Sequence, residues 1–212
     1  MRVVDCIQGT PEWHAARCGK VTASKIADLT AKTKSGWSAS RANYMATLVA
    51  ERLTGTVAES FSSAAMQWGK DHEEEAARIY AFERGTELST VGFVLHPMMD
   101  NAGASPDRLA GNAGLVEIKC PNTATHIETL LGGSIDGKYV KQMQWQMLCT
   151  GRAWCDFVSY DPRMPVEMQL HVARVERDDK AIAEIEDAVR SFLGELDTMV
   201  AALRERYMQE AA

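Results

Sequence analysis

Asp107, Glu117 and Lys119 are the residues of this chain whose types and spacing bear most directly on chemistry. They stand in the runs Ser105-Pro106-Asp107 and Glu117-Ile118-Lys119, separated by the Gly- and Asn-rich turn Leu109-Ala110-Gly111-Asn112-Ala113-Gly114. Side chains alternate along an extended strand, so Leu115, Glu117 and Lys119 share one face and Val116, Ile118 and Cys120 the other. The turn folds this strand back beside Pro106-Asp107, bringing two carboxylates and one ammonium together. All-oxygen ligands suit a hard cation such as Mg²⁺, and two such ions can activate a water and neutralise the leaving oxygen of a phosphodiester. Taken alone the pattern has a plainer reading as well, since Pro-Asp is common turn chemistry and an E-x-K strand can simply face water.

Those groups need a sheet and flanking helices to hold them. Trp68 to about Arg84 has helical spacing at Ala76, Ile79, Tyr80 and Glu83, with acids crowded at its start. Glu73 there either offsets the helix dipole or faces inward as an extra carboxylate. Val91, Phe93 and Leu95 alternate as a strand, followed by strands over Ala102–Asp107 and Leu115–Cys120, the centre of an antiparallel or mixed sheet. Tyr139 to Cys149 is predicted helical, with Gln142 and Gln146 one turn apart and Val140, Met143 and Met147 on the apolar side. Two more strands follow, Ala153–Tyr160 and Met168–Val175. From Asp178 a long helix carries Ile182, Ile185, Val189, Phe192, Leu196, Met199 and Leu203 at three- and four-residue steps. That seam packs on the same domain or on another subunit, and intramolecular packing is the preferred reading. The N-terminal third is helical and irregular, with helices over Ser24–Leu29 and Arg41–Leu53. The Lys34-Ser35-Gly36-Trp37-Ser38 loop between them either touches nucleic acid or is merely mobile.

At 212 residues and 46% hydrophobic, the chain is long enough for one sizeable core. Residues 1–212 are expected to form a single α/β or α+β domain, with residues 178–208 a C-terminal helix packed on it. No apolar stretch approaches the ~20 residues needed to span a bilayer, and Met1-Arg2-Val3-Val4-Asp5 lacks the order of a signal peptide, so a soluble, cytosolic protein is expected. Five scattered cysteines with no C-x-x-C pair read as reduced core residues, not a disulfide framework or zinc site. The five histidines show no ligand spacing, and His72 reads as a helix-surface residue. The net charge is -6, unlike a generic nucleic-acid binder. Its distribution is uneven: up to Arg41 seven basic residues face three acidic ones, and from Glu176 ten acidic residues face five basic ones. A polyanion would therefore meet positive charge only on part of the surface.

Taken in order, Trp13-x-x-x-Arg17-x-Gly19, Thr22-Ala23-Ser24, Trp68-Gly69-Lys70-x-x-Glu73, Ser105-Pro106-Asp107, Glu117-Ile118-Lys119-Cys120-Pro121, Gln142-x-Gln144 and Tyr160-Asp161-Pro162-Arg163-Met164 resemble the phage lambda-type alkaline exonucleases. These are also called YqaJ-type viral recombinases, within the P-D-(D/E)-x-K nuclease superfamily. The resemblance implies a restriction-endonuclease-like core, a central mixed sheet flanked by helices, and digestion of one strand of duplex DNA from its 5′ end to leave a 3′ overhang. It implies a site for two Mg²⁺ ions, with Mn²⁺ as a substitute, in which Asp107, Glu117 and the Ile118 carbonyl are ligands and Glu73 is a further acid. Lys119 would orient or deprotonate the water, and near cations should lose its proton more easily than a free lysine. Gln142 would hold the water or the scissile phosphate, and Arg17 and Ser24 would grip the terminal 5′ phosphate. Met66 falls where a strand-separating wedge sits, or is a core methionine. A ring-shaped homotrimer, double-stranded DNA ends as substrate, a single-strand DNA annealing protein as partner, and a phage or prophage origin in a bacterial cytoplasm are also implied. The chain has a shorter N-terminus than the family pattern and departs from it at Lys32 to Ser38, which bears on DNA entry. The other readings kept open are a structure-specific or restriction-type endonuclease with the same metal site, and a non-catalytic DNA-end-binding recombination scaffold.

Overall fold

The computed structural model describes residues 1–34, 36–58 and 63–208. The chain runs β1 (Arg2–Val4), α1 (Pro11–Arg17), β2 (Val21–Thr22), a 3₁₀ turn (Ala23–Lys25), α2 (Ile26–Thr30), β3 (Lys32–Thr33), β4 (Gly36–Trp37), α3 (Ala39–Thr54) and α4 (Ala64–Arg84). It continues through β5 (Leu88–Ser89), β6 (Phe93–Leu95), β7 (Ala102–Ala104), β8 (Arg108–Ala110), β9 (Gly114–Lys119), α5 (Thr123–Leu130), α6 (Gly137–Thr150) and β10 (Trp154–Tyr160). A second 3₁₀ turn (Val166–Met168), β11 (Leu170–Glu176) and α7 (Asp179–Tyr207) complete it.

The strands form two mixed sheets and a hairpin, ordered β1-β6-β7-β2, β11-β10-β9-β8-β5 and β3-β4. The expected strand over Ala102–Asp107 stops at Ala104, and a separate strand, β8, opens at Arg108 and takes in the first two residues of the expected turn. β7 pairs with β6 and β2, whereas β8 pairs with β9 and β5. Pro106 sits in the break, where its missing N–H leaves no ladder bond unmade. One backbone thus passes from the first sheet to the second at Ser105-Pro106-Asp107.

β9 lies at the centre of the second sheet, parallel to β10 and antiparallel to β8. Its alternation holds as the sequence predicts. Val116, Ile118 and Cys120 pack with Ala76, Ala77 and Tyr80 of α4, and Leu115 packs with Met143 and Met147 of α6. Each fully buried side chain of this size contributes about 1.5–3 kcal/mol. Gly114 opens β9 under the indole of Trp154, where a Cβ would lie 2.1 Å from the ring.

α7 packs inside the chain, with Ile185, Val189, Phe192, Leu196 and Val200 in one core with Ile26, Leu29, Tyr44, Leu48 and Val49. Tyr44 and Phe192 stack at 5.6 Å. The expected seam drifts at its end: Met199 is 46% exposed and Val200 is buried in its place. A helix of 3.6 residues per turn slips by about 20° per heptad against a 3.5-residue repeat. α4 begins four residues before the expected Trp68, because the Ser63 hydroxyl accepts the Met66 N–H at 3.2 Å and caps it. No described helix is long and apolar enough to cross a membrane.

Candidate active site

Arg108 of β8 lies opposite Val116 of β9, so Asp107, one residue earlier, arrives beside Glu117. The Asp107 Oδ2 accepts the Ile118 N–H at 2.7 Å, which fixes the carboxylate against the strand. Glu117 lies on the face of β9 opposite to Val116 and Ile118, under α6, and is 0% exposed. Its Oε1 accepts from Lys119 Nζ and from Gln142 Nε2 at 2.6 Å, and its Oε2 accepts from Gln146 Nε2 at 2.7 Å. The Tyr139 ring lies 5.2 Å from the Lys119 Nζ. Asp107, Glu117, Lys119 and Gln142 are therefore gathered at one place.

Burial, and then the neighbouring Glu117, push the Asp107 carboxyl well above its ordinary range, against the pull of Lys119. Burial works to lower Lys119, but Glu117 and Asp107 outweigh it, so the ammonium is held above its usual value. The reason is the count of charges, two acids sharing one base. An excess of negative charge in a low dielectric is what a divalent cation balances, and the donors are oxygens throughout. Among the described residues no three His, Cys, Asp or Glu side chains cluster as a ligand set. A cation here would draw on two carboxylates, backbone oxygen and water, which fits Mg²⁺ better than zinc.

Glu73 is turned elsewhere. Its Oε1 accepts from Arg108 at 2.9 Å, and Glu74 takes the other guanidinium nitrogen at 2.7 Å. It is still near enough to raise Asp107 further. The helix-dipole explanation for Glu73 lapses, because α4 starts at Ala64 and the dipole effect fades within the first turn.

Arg17, Ser24 and Met66 make no hydrogen bond or ion pair to this cluster among the described residues. Arg17 stacks on Trp13, 3.7 Å from the ring centroid, and makes no ion pair among the described residues. Burial lowers its guanidinium to about 10, which leaves it charged at neutral pH. The indole N–H of Trp13 donates to Ser105 Oγ at 2.9 Å, and Gln8 Nε2 donates to the Pro106 carbonyl at 2.9 Å. The N-terminal segment thereby braces Ser105-Pro106-Asp107. Gly19, at φ +68, ends the Arg17 turn, and its N–H is held by the buried Glu51 at 2.7 Å. Ser24 lies exposed on the first 3₁₀ turn. Met66 is 51% exposed in the first turn of α4, so the core reading of this methionine falls. Trp37 is 48% exposed on the β3–β4 hairpin, between Lys32 at 4.7 Å and Arg41 at 4.1 Å; Ser35 of the same stretch lies outside the described residues.

Sequence reasoning gave no role to Gln146 or Arg108. Gln146 carried a signal in its i,i+4 spacing from Gln142, whereas nothing local marks Arg108 as the partner of Glu73. Gln144, which shares the motif with Gln142, has a different task. It faces away, donating to the Glu176 carbonyl at 2.8 Å and accepting the Asp178 N–H at 2.9 Å.

A family model described as a YqaJ-like viral recombinase domain matches residues 12–153. An alkaline exonuclease (LHK-Exo) from Laribacter hongkongensis is 53% identical, with a TM-score of 0.87 over 93% of this chain and 97% of that one. It has also been solved in complex with dAMP. A phage-related exonuclease from Haemophilus somnus 129PT shares the fold, at 16% identity and a TM-score of 0.67 over 87% of this chain and 96% of that one. An uncharacterized protein, ExoD, of Escherichia coli K12 is 35% identical over 75 residues, 34% of this chain and 85% of that protein.

Proposed function

The chain belongs to the family of YqaJ-like viral recombinase domains, and from that premise we propose that it is a metal-dependent exonuclease degrading one strand of linear duplex DNA from the 5′ end. The product would be a 3′ single-stranded overhang for annealing. The observation that carries this reading is the meeting of Asp107, Glu117, Lys119 and Gln142 at the C-terminal end of β9, in a chain 53% identical to an alkaline exonuclease. The dAMP bound by that relative is chemically a mononucleotide of the kind exonucleolytic cleavage releases.

Asp107, Glu117 and the Ile118 carbonyl would hold the cations, two Mg²⁺ ions or Mn²⁺ in their place, with Glu73 a nearby acid. Bound there, they supply charge neutralisation and a more acidic water. The remaining work falls to the chain. Lys119, protonated beside Glu117, offers N–H donors to orient the attacking water, and Gln142 has a second amide N–H for the water or the phosphate. Arg17, stacked and without a carboxylate partner among the described residues, has its fork of donors for the terminal 5′ phosphate, with the Ser24 hydroxyl from the following Thr22-Ala23-Ser24 motif as a further donor. Met66, exposed at the start of α4, is the candidate wedge at the strand junction. A homotrimeric ring explains how a chain of net charge -6 keeps hold of DNA, since enclosure lowers the need for positive surface. A single-strand annealing protein is the partner, in a phage-infected bacterial cytoplasm.

The test is a time course on 5′-phosphorylated linear duplex with and without Mg²⁺, beside a covalently closed circle. Mononucleotide release from the linear DNA alone, dependent on Mg²⁺ and abolished in Glu117→Ala, is expected. Cutting of the closed circle would replace the exonuclease reading with an endonuclease, and undiminished activity in Glu117→Ala would remove the site.

A further inference from the structure

Glu117 has about four lone-pair directions, two on each carboxylate oxygen. Lys119 and Gln142 take the two on Oε1, and Gln146 takes one on Oε2. A single direction, on Oε2, is left. Gln146 is 0% exposed, and its own Oε1 has no hydrogen-bond donor among the described residues. Its amide cannot be turned round to satisfy that oxygen, because two acceptors would then face each other at Glu117. A buried amide with an unmade bond is a cost that Met or Leu, of similar volume, would not carry. A residue that served the core alone would more simply be apolar, as Met143 and Met147 are on the same helix.

From this arrangement we infer that Gln146 is a positioning residue for cation capture. It fixes the carboxylate plane of Glu117, so that the remaining Oε2 lone pair points in one direction and Oε1 stays with Lys119 and Gln142. Residues that orient a metal ligand from behind are commonly worth 10- to 100-fold in metal affinity. The inference rests on the reading of Glu117 as a cation ligand.

The experiment is isothermal titration of Mg²⁺ into the DNA-free protein, comparing wild type, Glu117→Ala and Gln146→Met, with Gln146→Leu carrying the test should Q146M not fold. Wild type is expected to bind Mg²⁺, E117A to lose that binding, and Q146M to bind about tenfold more weakly. Cleavage by Q146M should return toward the wild-type rate as Mg²⁺ is raised, a rescue that a general loss of structure would not allow. Mg²⁺ binding that survives in E117A would sink the ligand reading itself. Binding lost in E117A but unchanged in Q146M would overturn the role of Gln146 alone, as would a Q146M defect that no amount of Mg²⁺ repairs.

Discussion

Asp107→Asn should make the cation-free protein more stable while abolishing cleavage. Burial and the adjacent Glu117 raise the Asp107 carboxyl in the folded state, whereas in the unfolded chain it titrates near the usual ~4. Between those two values the folded state holds the extra proton, so stability falls as pH rises, and the penalty is complete above the folded value. Asn has no charge to bury, and its Oδ1 can still accept the Ile118 N–H that Asp107 accepts at 2.7 Å. Each tenfold change in proton affinity is worth about 1.4 kcal/mol, and Asp107 keeps part of its surface open, which moderates the effect. A gain of about 1–2 kcal/mol at pH 8.5 is expected, within the usual range for a single stabilising change. For a chain of this size that is a rise in Tm of roughly 2–8 °C. Thermal melts in EDTA at pH 5 and pH 8.5 check it, since the gap between variant and wild type should widen toward the alkaline end. Nuclease activity should fall about 100-fold or more. A variant that melts below wild type at pH 8.5, or a gap that narrows as pH rises, would refute the claim that burial and Glu117 disfavour the charge on Asp107.

Arg17→Ala should erase the advantage of a 5′-phosphorylated duplex over a 5′-hydroxyl one without changing the rate on the latter, as read by paired time courses; an unchanged preference would move the phosphate grip elsewhere. Gly114→Ala places a methyl 2.1 Å from the Trp154 ring, so it should lower stability by about 2–3 kcal/mol, measured by urea unfolding, with Trp154 and its neighbours at the start of β10 losing exchange protection first.

Asp107, Glu117 and Lys119 could be picked out from the sequence because strand alternation and a tight turn are local properties. The helix that carries Gln142 was legible too, whereas its place in the site came from the resemblance. The break at Pro106 was not, since periodicity does not say that one extended run serves two sheets, and strands as short as β1, β2 and β5 are below the length at which alternation is visible. The dipole reading of Glu73 depended on a helix start at Trp68, and the cap at Ser63 lies beyond the apolar pattern that marked the element. Contacts such as Trp13 to Ser105, spanning 92 residues, and Arg108 to Glu73, spanning 35, are products of tertiary packing. No window of sequence holds both ends. At α7 the heptad reading was right for four turns and then lost Val200 to accumulated drift.

The crossing of the backbone from one sheet to the other at Ser105-Pro106-Asp107 ties chemical competence to the order of folding. Asp107 finds its amide on Ile118 only after β9 has been made and has docked, and the first layer in turn is covered by α7, the last helix of the chain. A half-synthesised chain therefore lacks a finished carboxylate pair, and any cation site built on it waits until both layers have closed.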